Sequence, residues 1–309
     1  MKALALGLDG GGTKVLSQAA TLDGAVIGRG LAGACNIAFM PLAEALGNAL
    51  EASQIALSEA GATPSDVRAV CAGVAGTSFS QRRAEFLAAL QVHFPNALVT
   101  VEPDYAIALT GATEGGSGVI VIAGTGSAAY GENGAGQSHK TGAYGYLIDD
   151  GGSGYGVGRE AVAAALRTAD GTGAPTLLAE HILTALSLAS LSELVPGIYG
   201  GVIDRVTVAS LSRVVADTAQ TGDAVAVAIL RRAGETLADL VHGVVRSLFA
   251  NNEPFPIVQI GSLWNAGPSL TDVFAQRVRE AAPQSVVAEP RHEPVYGAVL
   301  RAIASVSRA

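Results

Sequence analysis

Residues 3–14 read ALALGLDGGGTK, an apolar run that ends in a carboxylate, three glycines, a hydroxyl and an amine. The apolar part, Ala3 to Leu8, predicts a buried first strand, and the glycines predict the turn that ends it. Residues 15–22 and 25–31 predict two further extended segments separated by a second turn. The chain is therefore expected to open as a meander of three antiparallel strands.

The turn Asp9-Gly10-Gly11-Gly12-Thr13-Lys14 also has the composition of a phosphate-binding loop. Glycines let backbone N–H groups approach phosphate oxygens closely, and the Asp9 carboxylate can hold a magnesium ion directly or through its waters. An ordinary hairpin turn has similar composition, and the hexapeptide alone leaves that alternative open. Three consecutive glycines exceed what a hairpin requires.

Strands and helices alternate after the meander. Helical spacing covers Pro41 to Ala60 and Ser80 to Phe94, and apolar strands cover Val67 to Val74 and Ala97 to Val101. This alternation implies parallel strands in an α/β layer. Asp104 follows the last strand, where a carboxylate can accept a proton from an attacking hydroxyl; the alternative is that it caps the next helix.

A second start of the same kind follows these elements. Gly118 to Ala123 predicts a strand, Gly124-Thr125-Gly126-Ser127 its turn, and Ala128 to Gly131 a further strand. Alone this turn equally suits a plain hairpin. Because it opens the second half as the first glycine turn opens the first half, we expect the two turns to face a phosphate chain from either side.

The rest of the chain predicts mainly helices. They cover residues 158–169, 175–187, 206–219, 224–250 and 269–282, with strands over 257–260 and 285–288 and a last helix from Pro294. No linker-like tract separates the halves. We expect an α/β protein of two related lobes around a cleft, with residues 1–113 plus 292–309 in one lobe and 114–291 in the other.

Composition excludes several classes of function. The 309 residues carry a net charge of −8 and no basic cluster, so nucleic acid and anionic membranes are not expected partners. Cys35 and Cys71 are the only cysteines, which excludes a disulfide framework or a four-ligand zinc or iron–sulfur site within one chain. The apolar start is too short for a secretion signal, so we expect a soluble, cytoplasmic protein.

Two rival motifs are set aside. Residues 28–33 fit the dinucleotide-binding pattern G-x-G-x-x-G, but no amphipathic helix starts within them. Residues 134–141 nearly spell a Walker P-loop, but His139 stands where the second glycine belongs. The five histidines form neither a metal-ligand spacing nor a triad with a serine nucleophile.

Four segments in chain order resemble the actin, heat-shock ATPase and sugar-kinase superfamily: residues 8–14, the Asp104 segment, residues 122–127 and residues 260–264. Within that superfamily, the chain resembles the BadF/BcrA-type ATPase group that includes N-acetylglucosamine kinase. The resemblance runs nearly end to end. It implies two actin-like, ribonuclease H-like lobes, a bound ATP with Mg²⁺, and a small-molecule sugar substrate; a homodimer is left open.

The resemblance also implies the roles of individual residues. It assigns nucleotide binding to Asp9, Gly10, Gly11, Gly12, Thr13 and Lys14, to Gly124, Thr125 and Gly126, and to Gly261 and Ser262 in an adenosine-binding turn. Asp104 becomes the catalytic base and Asp9 the metal-binding residue. The implied sugar contacts are Asn36, Asp104, Thr125, Ser127, Tyr144 and Asp150.

Residues 144–153 are similar to the family pattern W-G-x-x-x-G-D-E-G-S but depart from it at three places. Tyr144 replaces Trp, Asp149 replaces Gly, and Gly151 replaces Glu, while Asp150 keeps its position. The aromatic ring favours an amino sugar, and two readings of the lost carboxylate at position 151 stay open: a wider pocket, or less repulsion of an anionic substituent. The departures leave the identity of the sugar open.

The expected function is ATP-dependent phosphorylation of a hydroxyl of a small amino sugar. N-acetylglucosamine is the first expectation, with glucosamine and N-acetylmuramic acid as alternatives. A different class of function is an activator-type ATPase that acts as a conformational switch on a protein partner. A requirement for sugar in ATP consumption distinguishes the two.

Overall fold

The structure is a computed structural model in which residues 3–249 and 254–307 are described. The described residues form two compact units, one containing those up to Ser117 and those from Glu289 onward, the other Gly118–Ala288. The sequence predicts two crossings of the chain between the units, from the first to the second at 113–114 and back at 291–292. In the structure they lie at 117–118 and 288–289, because Arg291 bonds through its backbone N–H to the Ala112 oxygen of the first unit.

The described residues contain ten strands and ten α-helices. The strands are β1 (Leu4–Gly10), β2 (Val15–Thr21), β3 (Val26–Ala32), β4 (Val67–Val74), β5 (Leu98–Pro103), β6 (Gly118–Ala123), β7 (Ser127–Glu132), β8 (Ser138–Gly142), β9 (Pro256–Ile260) and β10 (Val286–Ala288). The helices are α1 (Leu42–Glu59), α2 (Ser80–His93), α3 (Asp104–Thr113), α4 (Gly154–Ala169), α5 (Leu178–Leu186), α6 (Leu194–Tyr199), α7 (Arg205–Gln220), α8 (Ala224–Leu248), α9 (Pro268–Ala281) and α10 (Pro294–Ser307).

The two units are built on sheets of the same topology. The first sheet has the order β3-β2-β1-β4-β5, and the second, taken in the same direction, has β8-β7-β6-β9-β10. In each sheet an antiparallel meander of three strands is extended by two parallel strands. The predicted α/β class, the opening meander and the duplicated architecture are confirmed.

Helices cover both faces of the first sheet. Helix α1 lies against β3, where a Cβ atom on Gly30 would come within 1.9 Å of the Ala52 carbonyl oxygen and one on Gly28 within 2.0 Å of the Ala56 oxygen. The G-x-G-x-x-G match is therefore a strand whose glycines let a helix approach closely. On the other face, buried Ile107 of α3 and Ala298 of α10 pack together in one cluster.

The second unit has the larger core, formed mainly by α4, α7, α8 and α9 against its sheet. Three features of this unit differ from the prediction. Strand β8 has a polar sequence, SHKTG, without the apolar alternation that predicts strands. Helix α6 contains Pro196 and Gly197, which interrupt helical spacing. The helix expected from residue 175 begins only at Leu178, because Asp223 binds the Thr176 hydroxyl and the Leu177 N–H.

Within the described residues, no single helix is long and apolar enough to cross a membrane. One bent helix pair, Leu178–Leu186 with Leu191–Tyr199, meets the length and composition criterion only when its two parts are taken together.

Candidate active site

Two carboxylates meet at one edge of the first sheet. Strands β1, β4 and β5 are parallel, and Asp9, Gly73 and Glu102 stand in register across them. Asp104 follows two residues after Glu102, as the first residue of α3, and its Oδ1 accepts the Tyr105 N–H at 2.9 Å. Burial, and then the negative charge of Asp104, raise the pKa of Asp9 to about 6. Asp104 thus lies at a helix N-terminus, although Pro103 is the residue in the capping position.

The first glycine loop is a hairpin turn in its backbone geometry. The Gly11 N–H donates to the Lys14 carbonyl oxygen at 2.9 Å, and the turn joins Gly10 of β1 to its partner Val15 of β2. The hairpin alternative therefore describes the backbone correctly.

That hairpin does not by itself explain why the loop is made of glycine. A Cβ atom on Gly10 would approach Val74 and Cys35 to 2.9 and 3.0 Å, so this glycine is needed for packing. A Cβ on Gly12 would meet nothing within 4 Å, one on Gly11 only the Lys14 oxygen at 3.7 Å, and neither residue has a positive φ. At Gly12 the fold leaves room for an incoming group to approach the backbone N–H, whereas the Gly11 N–H is already bonded to the Lys14 oxygen.

Asn36 lies beside this loop. It forms a parallel bridge with Ala75, just beyond the end of β4, and the preceding Cys35 N–H donates to the Gly11 oxygen at 2.8 Å. Its side-chain oxygen accepts the Ala38 N–H at 2.9 Å, whereas no hydrogen bond among the described residues uses its amide nitrogen. The segment that follows Asn36 is held by Arg82, which donates to the carbonyl oxygens of residues 37 and 40. The Asn36 side chain is therefore held in place, and its amide N–H groups can donate to a ligand.

The second glycine loop connects β6 to β7 and lies against the start of α4. The Gly124 N–H donates to the Gly126 oxygen at 3.0 Å, and the Gly154 N–H donates to the Gly124 oxygen at 2.7 Å. Ser153 caps α4 by accepting the Gly156 N–H at 3.0 Å. As at Gly12, a Cβ on Gly124 would meet nothing within 4 Å. The positive end of a 16-residue helix therefore begins beside an open glycine backbone.

The Gly261 turn is adjacent to this second loop. Gly261 has a φ of +113°, and a Cβ there would lie 2.4 Å from the Ala123 oxygen at the end of β6, so the position requires glycine. Ser262 then begins a short 3₁₀ helix, Ser262–Ala266. Parallel strands β6 and β9 bring the two turns to the same sheet edge.

These turns open onto a pocket of about 540 Å³ that lies within the second unit. Its lining includes Gly124 and Thr125, the 3₁₀ helix residues 262, 263, 265 and 266, and one face of α7 with Arg213, Asp217 and Gln220. Its volume falls in the range of small-molecule sites, which is roughly 300 to 1,000 Å³. The predicted second phosphate loop and the predicted adenosine turn are thus brought to one pocket.

Asp150 forms a second acidic centre in this unit. Its Oδ1 accepts the Ser127 N–H at 2.6 Å and the Ser127 hydroxyl at 3.3 Å. Its Oδ2 is buried and has no hydrogen-bond partner among the described residues, and the Arg205 Nη2 lies 3.7 Å away. Burial raises the pKa of Asp150, while the Ser127 hydrogen bonds and the Arg205 charge oppose that rise.

Several other predicted residues are exposed at the surface. Thr13, Lys14 and Thr125 are exposed, and so is Tyr144, which has 61% of its surface accessible. The aromatic residue engaged in this loop is Tyr146, whose ring meets Tyr155 edge-on at 5.2 Å.

Sequence reasoning missed three residues of these sites, namely Tyr146, Arg205 and Arg213. Arg205 follows Asp204, the N-cap of α7 that accepts the Thr207 N–H at 2.8 Å. The predicted helix began at Val206, so its capping residue was not identified. A search for the Asp204 cap is the signal that would have placed Arg205 at a helix start.

Comparison with known proteins identifies the family. The family model described as the BadF/BadG/BcrA/BcrD ATPase family matches residues 6–302. The chain belongs to this family. The predicted family resemblance is confirmed.

Curated relatives in the comparison are sugar kinases. The chain is 32% identical to an N-acetylmuramic acid/N-acetylglucosamine kinase of Clostridium acetobutylicum, covering 96% of each chain. It is 27% identical to an N-acetyl-D-glucosamine kinase of Dictyostelium discoideum, covering 98% of this chain and 99% of that protein.

Solved structures confirm the actin-like, two-unit fold of sugar kinases. A structure described as that of a candidate N-acetylglucosamine kinase from Chromobacterium violaceum has a TM-score of 0.78 at 25% identity, covering 96% of this chain and 98% of that chain. A ROK family glucokinase from Streptomyces griseus has a TM-score of 0.59 at 16% identity, covering 97% and 98%, and shows the fold alone.

Proposed function

We propose that this protein is an ATP-dependent kinase that phosphorylates a hydroxyl of an amino sugar, with N-acetylglucosamine as its first substrate. The observation that carries the proposal is the pair of carboxylates, Asp9 and Asp104, at one sheet edge beside an open glycine loop. The names of the curated relatives support the amino-sugar class.

We assign the nucleotide's adenosine part to the pocket lined by Ser262 and the α7 face. The backbone at Gly12, where the fold leaves open space, suits phosphate oxygens, which need close N–H donors where the protein's net charge of −8 is unfavourable; Gly124 likewise leaves room for a phosphate, although its own N–H is bonded to the Gly126 oxygen. The positive end of α4 supports a phosphate next to Gly124. Arg213 supplies a cation in the same pocket.

Asp9 fits a magnesium ion that is shared with the phosphates. Among the described residues, no group of three or more His, Cys, Asp or Glu side chains could hold a metal by itself. Magnesium needs no such cage, because it commonly takes one or two carboxylates together with phosphate oxygens and water. A cation there would also relieve the repulsion between Asp9 and Asp104. When bound, Mg²⁺ neutralises charge that develops on the phosphates.

In the proposed reaction, the hydroxyl oxygen of the sugar forms a bond to the γ-phosphorus, and the bond from that phosphorus to the β–γ bridging oxygen breaks. The electron pair of that bond leaves with ADP, and the hydroxyl proton passes to Asp104. The transition state is loose, so the proton moves late and an ordinary carboxylate is a sufficient base. Most of the catalysis comes from positioning.

Sugar recognition is assigned to Asn36, Asp150 and the second glycine loop. The Asn36 amide nitrogen and the Asp150 Oδ2 atom are polar groups without hydrogen bonds to the described residues. A buried, unsatisfied carboxylate oxygen is costly unless a donor reaches it, and a sugar hydroxyl is such a donor. Ser127 adds a hydroxyl next to the Asp150 carboxylate, Thr125 an exposed hydroxyl on the same loop, and Tyr144 an exposed ring against which an acetamido methyl packs.

The test is ADP release by the purified protein with Mg²⁺-ATP over a sugar panel. We expect ADP release to require a sugar, and N-acetylglucosamine to have the highest kcat/KM in a one-vessel competition with glucosamine, N-acetylmuramic acid and glucose, with products resolved by mass. A tenfold preference for glucose would remove the amino-sugar assignment and leave the kinase. Sugar-independent ATP consumption would favour the switch-type ATPase. We place the reaction in the cytoplasm, where ATP is supplied.

A further inference from the structure

Arg205 is a positively charged side chain next to Asp150, and the proposed mechanism gives it no role. Its guanidinium lies over the Tyr146 ring, 5.1 Å from the ring centre, and 41% of the side chain is exposed. Tyr146 is held in turn by Tyr155 on α4. No hydrogen bond among the described residues uses the five N–H groups of this guanidinium, although its position is fixed on two sides.

The distance between Arg205 and Asp150 has a chemical meaning. A separation of 3.7 Å between Nη2 and the buried Oδ2 is too long for a hydrogen bond, for which about 2.7 to 3.2 Å is normal. It is short enough for one oxygen atom to lie within hydrogen-bond distance of both. Such an atom must accept from Arg205 and donate to Asp150, and a hydroxyl does both.

The surroundings favour a neutral hydroxyl over a phosphate at this place. Arg205 is not among the residues that line the nucleotide pocket, although the adjacent Val206 is. The Asp150 carboxylate, only 4% exposed, would repel an anion brought next to Arg205. The same pair borders the second glycine loop, since a Cβ on Gly126 would lie 3.2 Å from Asp150 and 3.5 Å from Arg205.

We propose that Arg205 is a sugar-binding, specificity-determining residue, which together with Asp150 binds one hydroxyl of the sugar between a donor and an acceptor. This inference rests on the proposed kinase function. It adds a residue that the family pattern of the 144–153 loop does not contain. It also predicts that the bound position needs a free hydroxyl, so that a sugar lacking this hydroxyl is a poor substrate.

The experiment combines one variant with sugars that lack single hydroxyls. Wild type and Arg205→Met are compared with N-acetylglucosamine, its 3-deoxy and 4-deoxy analogues, and N-acetylmuramic acid. We expect Arg205→Met to lower kcat/KM for N-acetylglucosamine by about 10- to 100-fold through KM, because a hydrogen bond from a charged donor is lost, with the KM for ATP nearly unchanged. For one of the deoxy sugars, kcat/KM should fall at least tenfold relative to N-acetylglucosamine in the wild type but less than about threefold in the variant.

Two further variants control for structure. Arg205→Lys keeps the charge without the planar fork and should recover only part of the loss. Arg232→Met removes another half-exposed arginine of this unit, paired with Glu160, and should match the wild type in every sugar. Melting curves followed by circular dichroism should superimpose for all proteins.

Three outcomes would overturn the inference. The first is that each deoxy sugar lowers kcat/KM by the same factor in both enzymes. The second is that the substitution raises the KM for ATP and leaves the KM for the sugar unchanged. The third is that kcat/KM falls only for N-acetylmuramic acid, which would make Arg205 an anion site. If the wild type phosphorylates no sugar, the proposed function itself fails. If it phosphorylates N-acetylglucosamine and Arg205→Met does so equally well, only the role of Arg205 fails.

Discussion

At the scale of single residues, Asp104 carries the chemical step of the proposed reaction. We expect Asp104→Asn to lower kcat by about 100- to 10,000-fold, because the base that takes the hydroxyl proton is removed while its shape is kept. ATP and sugar affinities should change little. Steady-state kinetics with calorimetric binding measurements check both parts.

Glu102 provides the matched control for that substitution. It lies two residues earlier in the chain, on strand β5, and its carboxylate is 3.9 Å from the Arg83 guanidinium. Glu102→Gln should retain kcat within a few fold. Wild-type turnover in Asp104→Asn would leave Asp104 with only a structural role at the start of α3.

The raised pKa of Asp9 should make the free energy of unfolding depend on pH. Its pKa is about 6 in the folded protein and near 3.8 in an unfolded chain, so the folded state binds its proton more tightly. The stabilisation of the folded state that comes from this tighter proton binding is complete below about pH 3.8 and is lost as the pH rises through 6. In EDTA, the free energy of unfolding of Asp9→Asn, relative to that of the wild type, should therefore rise by about 1 to 3 kcal/mol between pH 4 and pH 7.5.

Urea unfolding of both proteins at the two pH values measures that difference, and the common titrations of all other groups cancel in it. Addition of Mg²⁺ with ATP should remove the advantage of Asp9→Asn, because the wild-type carboxylate then gains a cation. A stability difference that is the same at both pH values would show that Asp9 is not buried beside another carboxylate.

At the scale of elements, two kinds of glycine should respond in opposite ways. Gly12→Ala adds a methyl group into open space and should leave the melting temperature within about 1–2 °C while raising the KM for ATP about tenfold or more. Gly30→Ala forces β3 away from α1, whose Ala52 oxygen would lie 1.9 Å from the new Cβ, and should destabilise the protein by several kcal/mol.

Gly47→Ala serves as the neutral comparison, since Gly47 is exposed in α1 and its Cβ would meet nothing within 4 Å. It should raise stability slightly and leave the ATP kinetics unchanged. If Gly12→Ala behaves like Gly47→Ala, the first loop does not approach a ligand and is only a hairpin.

The same elements show how far sequence reasoning reaches. Strand β4 is predicted to the residue, because its eight residues are a continuous apolar run apart from Arg68. Strand β8 is missed, since its polar side chains carry no period and its pairing to β7 is set by distant contacts. The glycine loops and Asp104 stand out as candidates in the sequence because they follow apolar strands.

The Asp150–Arg205 pair could not be predicted in this way. Its members are 55 positions apart in the numbering, on a loop and at a helix start, and only the packing of α7 beside the 144–153 segment brings them to 3.7 Å. Tyr146 is similar, since periodicity does not indicate which of two nearby tyrosines an arginine will cover. Local pattern predicts the ends of strands well and contacts between loops poorly.

At the scale of the whole molecule, the repeated sheet topology does not imply repeated function. Both sheets place a glycine turn after their first strand, at the edge where parallel strands end. In the second unit that edge carries a pocket formed by α4, α7 and the Gly261 turn, and in the first unit it carries two carboxylates. The two units, alike in sheet topology, thus differ in the groups that they place at this edge.

This division predicts where ADP alone protects the backbone from hydrogen exchange. Apart from Gly154, the pocket draws its lining from three stretches far apart in sequence: residues 124–125, 206–220 and 262–266. Binding should slow exchange in all three together, because a ligand that contacts them suppresses their local opening. Hydrogen–deuterium exchange with mass spectrometry, with and without ADP, measures this.

A second concavity of the same unit provides the internal control. It measures about 390 Å³ and is lined by Asp239, His242, Arg246 and their neighbours on α8 and α9. Its exchange should be unaffected by ADP, because Asp239 is already paired with Arg277 at 3.1 Å and no glycine loop faces it. Protection at α8 and α9 without protection of residues 262–266 would move the adenosine site and contradict the assignment of the Gly261 turn.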